Sequence, residues 1–400
     1  MSKPHPYYRL NPARSIHLVG LIDQDLVSRV TPHILKLQAQ SRDPITVYID
    51  SNGGQPLAAE TILNVLRMTD QDGAEPCHII TAVTTKALSA AADLLSSGDY
   101  AVAYPHSLIH YHGLRTAEPN LLTAEYSSRL AAYLRQRNDQ YALELAQKID
   151  DRFSFRFVSH LSEYVTIRSQ PGKQHLSDLD CFIEFIGGKL SPEGTEIWER
   201  AKQRHSRYAQ LFYTVMRKVR SSSGPRARAK LEAFAIKAIA DFEVKANKDN
   251  PRWSFRGGGI ERLTEDFFLF NEYVTNFSGD RLQRWSADWG KIAVPADRMA
   301  EIDAIQDEQA KKTALESEIR SILEPLTAFF AALCHALQEG ENQLTATDAY
   351  WLGLIDEVIG KDDLFCQRHI EEWDNEKGKQ EDQPKELPET TGTGAGPSQD

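Results

Sequence analysis

Apolar residues up to about His112 fall into short runs that alternate with segments of helical spacing. Short runs rich in β-branched and aromatic residues indicate strands, whereas apolar residues that recur every three or four positions indicate helices. Their alternation predicts a mainly parallel sheet with helical crossovers, which is an α/β fold. The pattern predicts strands over 15–20, 44–50, 78–83, 100–105 and 107–112, and helices over 26–38, from Pro56, and from Ser89 to about Gly98.

The pattern changes after a long helix that is predicted over 123–147. From about Asp151 to about Gly340 the apolar spacing is mostly helical, and short glycine- and serine-rich segments interrupt it. No segment repeats another, so a solenoid is not expected. This middle region is therefore predicted to be a mostly helical insertion.

The closing stretch LTATDAYWLGLIDEVIG, residues 344–360, returns to the α/β pattern. Thr345 and Asp348 have the spacing of a capping box, and LIDEVI predicts a final strand. The α/β fold is thus expected to be interrupted and then completed. The predicted divisions are 1–151 for the first part of the α/β domain, 152–340 for the insertion, 341–374 for the closing part and 375–400 for a disordered tail.

Composition narrows the class of protein. With 400 residues and 41% hydrophobic residues the chain can build a sizeable core, and a net charge of -11 argues against a general nucleic-acid binder. Its 4 cysteines form no CxxC pair, which favours reduced thiols over a disulfide framework or a zinc site. No apolar run is long enough for a membrane span, and the first residues lack the apolar core of a signal peptide. A cytoplasmic protein without membrane or nucleic-acid partners is expected.

Candidate chemistry is concentrated around Ser89, in the stretch TTKALSAAADLL that follows the apolar run HIITAV. Upstream, a strand leads directly into the glycine pair of SNGG, whose bare backbone can approach a ligand closely. Downstream, SLIHYHG places His110 and His112 two residues apart, so both point to one face of a strand. A serine, a histidine and backbone N–H donors are the groups that acyl transfer requires.

Four stretches resemble, in order, motifs of the proteolytic subunit of the Clp protease, a family in the same superfamily as the crotonases. They are VYIDSNGG, TKALSAA, the P-x-S-x-x-x-x-H stretch from Pro105 to His112, and LTATDAYWLGLID. The resemblance covers roughly residues 10–150 and 340–360. It implies a ClpP/crotonase-like spiral of βαβ units, interrupted here by the helical insertion.

The resemblance implies a Ser-His-acid triad. Ser89 matches the nucleophile, His112 matches the general base, and Glu341, three residues before the LT of the closing motif, matches the acid. Asp151 is a rival for the acid because KIDDRFS is similar to an acid-bearing loop of the family. His110 is a rival for the base on the same strand.

The resemblance also implies the groups that bind the substrate carbonyl. Backbone N–H groups of Gly54 and Ala90 would hold the oxyanion, and Gly53 would belong to the same substrate-binding turn. Three positions depart from the family: Thr85 and Ala91 stand where the family has glycines near the nucleophile, and Asn52 stands where it has the proline of the glycine turn. These departures put the shape of the oxyanion pocket in question.

The function expected from the resemblance is an ATP-dependent Clp-type serine endopeptidase that acts on a polypeptide substrate. Such subunits form ring-like homo-oligomers, and they rely on an AAA+ unfoldase because they lack an ATPase site. No cofactor and no metal ion is expected. Two alternatives stay open: a crotonase-like enzyme that acts on a coenzyme A thioester, and a catalytically inactive scaffold of the same fold.

Overall fold

The computed structural model describes residues 8–69, 75–115, 123–219, 294–361 and 363–364, so the predicted tail over 375–400 lies outside the described residues. The strands are β1 (Ser15–Ile22), β2 (Ile45–Gly54), β3 (Ile79–Leu88), β4 (Tyr100–Ala103), β5 (Leu108–His112), β6 (Glu341–Thr345) and β7 (Glu357–Val358). The helices are α1 (Gln24–Gln40), α2 (Pro56–Leu66), α3 (Ala90–Ser96), α4 (Ala124–Ser159), α5 (Leu161–Tyr164), α6 (Asp178–Gly187), α7 (Pro192–Val219), α8 (Ala296–Asp303), α9 (Glu308–Leu337) and α10 (Ala346–Trp351).

The sheet has the parallel order β1-β2-β3-β4-β7, and β5 also pairs in parallel with β3. Only β6 runs antiparallel among the described strands, against β5. The predicted α/β fold, with a large helical region after the first part, is confirmed. The first half of β3 pairs with β4 and its last residues, Lys86 to Leu88, pair with β5. This change of partner brings β5 beside the residue that follows β3, which is Ser89.

Two strands run further than their hydrophobic pattern predicts. β2 continues through SNGG to Gly54, and β3 continues through TTKAL to Leu88. Polar residues and glycines at a strand end suggest a turn, but here neighbouring strands pair with them: Leu21 lies opposite Gly53 and Ser51 opposite Ala87. The predicted turn at SNGG is therefore wrong, and extended backbone leads up to Ser89 from both strands.

The helix that begins at Ala124 ends at Ser159, not near Gln147, and crosses the predicted division at residue 151 without a break. Its second half is buried in the same core as the sheet. Phe153 stacks on Phe330 with ring centroids 4.6 Å apart and meets the edge of Phe182 at 5.4 Å. Helices from both sides of the division thus share one hydrophobic cluster, and the division into 1–151, 152–340 and 341–374 remains a prediction.

Buried arginines on α4 attach the closing part to the sheet. Arg152 pairs with Asp356 at 2.7 Å and also donates to the carbonyl of Ser96. The predicted capping box of Thr345 and Asp348 is present at the start of α10. The Arg152–Asp356 pair holds the start of β7 beside β4, since Asp356 also accepts from the N–H of Ala101. β6 is held by its own pairing with β5, at the end of the sheet where Ser89 lies. No helix within the described ranges is long and apolar enough to cross a membrane.

Candidate active site

Ser89 occupies a sharp turn between β3 and α3. Its backbone has φ 57° and ψ -129°, and it is the only non-glycine residue with positive φ in the described part of the chain. Such a conformation costs of order 1–3 kcal/mol and persists only where the surroundings impose it. Here the Ser89 N–H donates to the carbonyl of His110 at 2.7 Å, and the Ser89 carbonyl accepts from Ala92 N–H at 2.8 Å.

The side chain of Ser89 makes no capping hydrogen bond to α3, although the residue stands at the N-cap position. An ordinary N-cap serine would accept a hydrogen bond from a backbone N–H of the first turn. A strained strand-to-helix turn that presents a serine hydroxyl is instead typical of a nucleophile. The structure therefore does not support a purely structural role of Ser89 as a helix N-cap.

The alanines after Ser89 are explained by packing. Ala90, Ala91 and Ala92 are all buried, and α3 contacts β2, β3 and α4. Larger side chains would push this short helix away from the sheet, because protein interiors tolerate little overpacking. The small residues therefore keep the start of α3 close to the end of β2.

The glycine pair touches the Ser89 turn directly. Gly53 has φ 84°, and a Cβ there would lie 2.8 Å from Ser89 Cβ and 2.3 Å from the carbonyl oxygen of Leu88. Gly54 has φ 153°, and its Cβ would lie 2.2 Å from the Ile22 carbonyl oxygen. Both positions therefore require glycine, for conformation and for space.

Of the predicted oxyanion donors, Ala90 lies against Gly53, and Gly54 directly follows Gly53 in the chain. A Cβ on Gly53 would lie 3.2 Å from the Ala90 nitrogen, so glycine at this position leaves room beside that N–H. Ala90 is the first residue of α3, and its N–H has no acceptor within the helix. The Gly53 N–H is already engaged, because it donates to Ser51 Oγ at 3.0 Å.

His110 and His112 share one face of β5, as their spacing predicts. The alternate residues Ile109 and Tyr111 face the core, where the Tyr111 hydroxyl lies 2.6 Å from Ser96 Oγ. The histidine rings have centroids 5.5 Å apart. His110 is level with the end of β3, and His112 lies about 7 Å further along β5. β5 thus places a two-histidine face beside the Ser89 turn.

His112 Nδ1 lies 2.6 Å from the carbonyl oxygen of Gly113. A carbonyl can only accept, so Nδ1 carries the hydrogen and donates it. In the neutral form of the ring, the other nitrogen, Nε2, then carries a lone pair. This tautomer is the one in which a histidine accepts a proton at Nε2.

Glu341 reaches the histidine face, but its carboxylate does not contact His112. In the register of β5 and β6 the Cα of Glu341 lies opposite that of His112. Its carboxylate is 3.2 Å from His110 Nε2, forms an ion pair with Arg115, and is 61% exposed. Burial lowers the pKa of His110, and the nearby Glu341 carboxylate opposes this shift.

Asp151, the rival acid, lies in a different part of the molecule. It lines a cavity of about 740 Å³ together with His78 and Asp99. His78 directly precedes β3, and Asp99 precedes β4 and donates its N–H to the carbonyl of Ile79. Both are therefore at the start of β3, whereas Ser89 follows its end, and 10 residues of strand span about 30 Å. The structure therefore does not bring Asp151 to the histidine face.

Asp93, which no motif in the sequence marks, is a half-buried carboxyl group on α3. It lies four positions after Ser89, beside a small cavity that Ala90 also lines. Burial raises its pKa to about 6; Lys148 lowers it and Glu144 raises it. The sequence around Asp93 does not indicate this raised pKa, because helical spacing alone does not show which residues pack against a side chain.

Asn138 on α4 is a second residue that the sequence analysis passed over. Its side-chain oxygen Oδ1 accepts a hydrogen bond from the N–H of Leu114 at 2.7 Å. This bond joins α4 to the segment that directly follows His112.

The sequence model of the family described as Clp protease matches residues 2–118. The matched segment contains Ser89, His112 and the glycine pair, and it ends well before Glu341. No curated protein matches the chain.

Proposed function

Because residues 2–118 belong to the Clp protease family, we propose that the protein is a Clp-type serine endopeptidase with Ser89 as its nucleophile. The observation that supports this most strongly is the strained backbone turn at Ser89: the serine side chain caps no helix, and the turn lies directly against Gly53. A turn with positive φ is retained where function needs it, because a serine gains no stability from that conformation.

In the proposed reaction, Nε2 of His112 takes the proton from Ser89 Oγ, and Oγ attacks the carbonyl carbon of the peptide. Backbone N–H groups of Ala90 and Gly54 stabilise the oxyanion of the tetrahedral intermediate. His112 then gives its proton to the departing amine, and water hydrolyses the acyl-enzyme by the same steps in reverse. Glu341 is the proposed acid, since its negative charge beside the histidine pair favours the imidazolium form.

The two positions where the family has glycine, Ala91 and Thr85, differ in their surroundings. Ala91 is 0% exposed, so its methyl group lies in the packing of α3 and not in an open space. The side chain of Thr85 is exposed on β3, upstream of the Ser89 turn. These positions support a working site more than a closed one.

The proposal extends to partners and location by way of the family. Clp proteases form oligomers and work with AAA+ unfoldases, so a homo-oligomer and an unfoldase that supplies ATP-dependence are proposed for this chain. A polypeptide is the proposed substrate. A cytoplasmic location fits the free cysteines Cys77, Cys181 and Cys334 of the described residues.

The test is covalent labelling with a fluorophosphonate probe for serine hydrolases. We expect the wild-type chain and Ser28→Ala, which changes an exposed serine on α1, to be labelled. We expect Ser89→Ala to lose labelling and to cleave model peptides several orders of magnitude more slowly, with an unchanged thermal melt. An unlabelled wild-type chain would favour the inactive scaffold, and binding of coenzyme A without labelling would favour the crotonase-like alternative.

A further inference from the structure

The orientation of His112 depends on a backbone carbonyl. Its Nδ1–H donates to the Gly113 carbonyl at 2.6 Å, whereas the Glu341 carboxylate lies against His110 and Arg115. The group that fixes the tautomer of a histidine is the one that accepts from its protonated nitrogen. For His112 that group is the carbonyl of Gly113.

The peptide that carries this carbonyl is held from two sides. A Cβ on Gly113 would lie 2.5 Å from Asn138 Nδ2 and 2.7 Å from the Gln338 carbonyl oxygen. The next residue, Leu114, donates its N–H to Asn138 Oδ1 at 2.7 Å. Asn138 therefore both packs against Gly113 and binds the backbone immediately after it.

The turn of α4 that bears Asn138 is itself anchored. The neighbouring Asp139 lies 3.2 Å from His335 Nδ1 on α9 and 3.9 Å from an Arg204 nitrogen on α7. One turn further along, Ala142 is completely buried. Asn138 thus projects from a fixed surface, and its amide can act as a rigid support.

We propose that Asn138 is a positioning residue of the peptidase, which acts on His112 through the Gly113–Leu114 segment. By holding that segment, Asn138 maintains the hydrogen bond from His112 Nδ1–H to the Gly113 carbonyl. Nε2 of His112 is then the ring nitrogen that accepts the Ser89 proton. The inference rests on the proposed function for its catalytic consequence, but the tautomer itself can be measured without activity.

The test compares Asn138→Leu, which removes the acceptor at similar volume, with Asn138→Asp, which keeps an oxygen acceptor. Gln136→Leu is the matched control, because it also replaces an amide side chain on α4 by leucine, at an exposed position. We expect Asn138→Leu to slow probe labelling and kcat by about 10–100-fold, the range for loss of a supporting contact behind a functional side chain. We expect KM to stay within about twofold, because substrate contacts are untouched. Asn138→Asp and Gln136→Leu should behave as the wild-type chain.

Nitrogen-15 NMR of histidine-labelled full-length chain gives the direct readout, with the His112 signals assigned by their absence in His112→Gln. We expect the Nδ1–H tautomer in the wild-type chain and a mixture of tautomers in Asn138→Leu. Gly113→Ala, which displaces the same peptide sterically, should reproduce the mixture if Asn138→Leu fails to fold.

An unchanged tautomer in both folded variants would overturn the inference, whatever the activity. Loss of activity in Asn138→Leu without rescue in Asn138→Asp would also overturn it, since a purely structural role predicts that result. A wild-type chain that shows the expected tautomers but no reaction with the probe would overturn the proposed function and leave the positioning role supported.

Discussion

Ser89 and Glu341, the two ends of the proposed triad, are held in opposite ways. The Ser89 turn is fixed by a backbone hydrogen bond to His110 and by the close approach of Gly53, at the end of the interior strand β3. Glu341 is 61% exposed, and Arg115 and His110 share its carboxylate. The nucleophile therefore has one accessible geometry, whereas the acid is positioned by ion pairs that water and salt weaken.

The difference has an energetic basis. Displacing backbone that is packed at van der Waals distance is costly, because the core has few alternative arrangements. An exposed ion pair contributes about 0–1 kcal/mol and can be remade with another partner. Substitutions on the nucleophile side should consequently have large effects, and substitutions on the acid side should have modest ones.

The largest expected effect among these is that of Gly53→Ala. The added Cβ would lie 2.3 Å from the Leu88 carbonyl oxygen and 2.8 Å from Ser89 Cβ, on a backbone with φ 84°. We expect a loss of stability of about 1–3 kcal/mol, the usual cost of one strained residue. Peptidase activity should fall by about 100-fold or more, because the serine turn shifts.

Thermal unfolding measures the loss of stability in Gly53→Ala, and peptide cleavage measures its loss of activity. Gly172→Ala is the matched control, since Gly172 also has positive φ but open space around its Cβ position. If Gly53→Ala retained wild-type activity, the view that packing fixes the nucleophile would be wrong.

A smaller effect is expected when the acid is neutralised. Glu341→Gln should lower kcat by about tenfold with little change in KM, far less than the roughly 10⁴-fold loss known for a buried triad acid that contacts its histidine. Asp151→Asn, at the other end of β3, should leave both constants unchanged. Steady-state kinetics of the two variants, side by side, decide between the acids. A selective loss in Asp151→Asn would reverse the assignment, and a 10⁴-fold loss in Glu341→Gln would show that Glu341 contacts His112 during the reaction.

The last effect concerns stability and not activity, and it tests the half-buried carboxyl group of Asp93 on the nucleophile side. The pKa of Asp93 is raised from 3.8 to about 6, so the folded chain binds more protons than the unfolded chain between those two values. Stability therefore falls as pH rises from about 4 to about 6, and the penalty is complete above that window. It amounts to about 3 kcal/mol at most, at 1.36 kcal/mol per pKa unit.

Asp93→Asn removes this penalty. We expect the variant to be more stable than the wild-type chain at pH 8, by a few degrees in Tm, with a smaller gain at pH 5. Denaturant unfolding at the two pH values gives the measurement. An equal gain at both values would mean that the effect comes from packing and not from ionisation.

Much of the nucleophile side could be predicted from the sequence because its determinants are local. A glycine pair after one strand, a serine among alanines after the next, and two histidines on a third strand are all visible as short motifs. The order of strands and helices also predicted the parallel sheet correctly. The ends of β2 and β3 were predicted too early, since SNGG and TTKAL pair with neighbouring strands that their own composition does not reveal.

The acid side and the support of His112 depend on contacts that no local motif specifies. Glu341 and Arg115 are 226 residues apart in the chain, and Asn138 meets Leu114 only because α4 lies against the segment that follows β5. The sequence determined which residue types stand at the two ends of the strands, through backbone propensity and hydrophobic periodicity. Tertiary packing decided which carboxylate reaches which histidine and which amide supports the peptide after His112. Side-chain partners that are far apart in the chain are selected by burial and distance, and not by their spacing along the sequence.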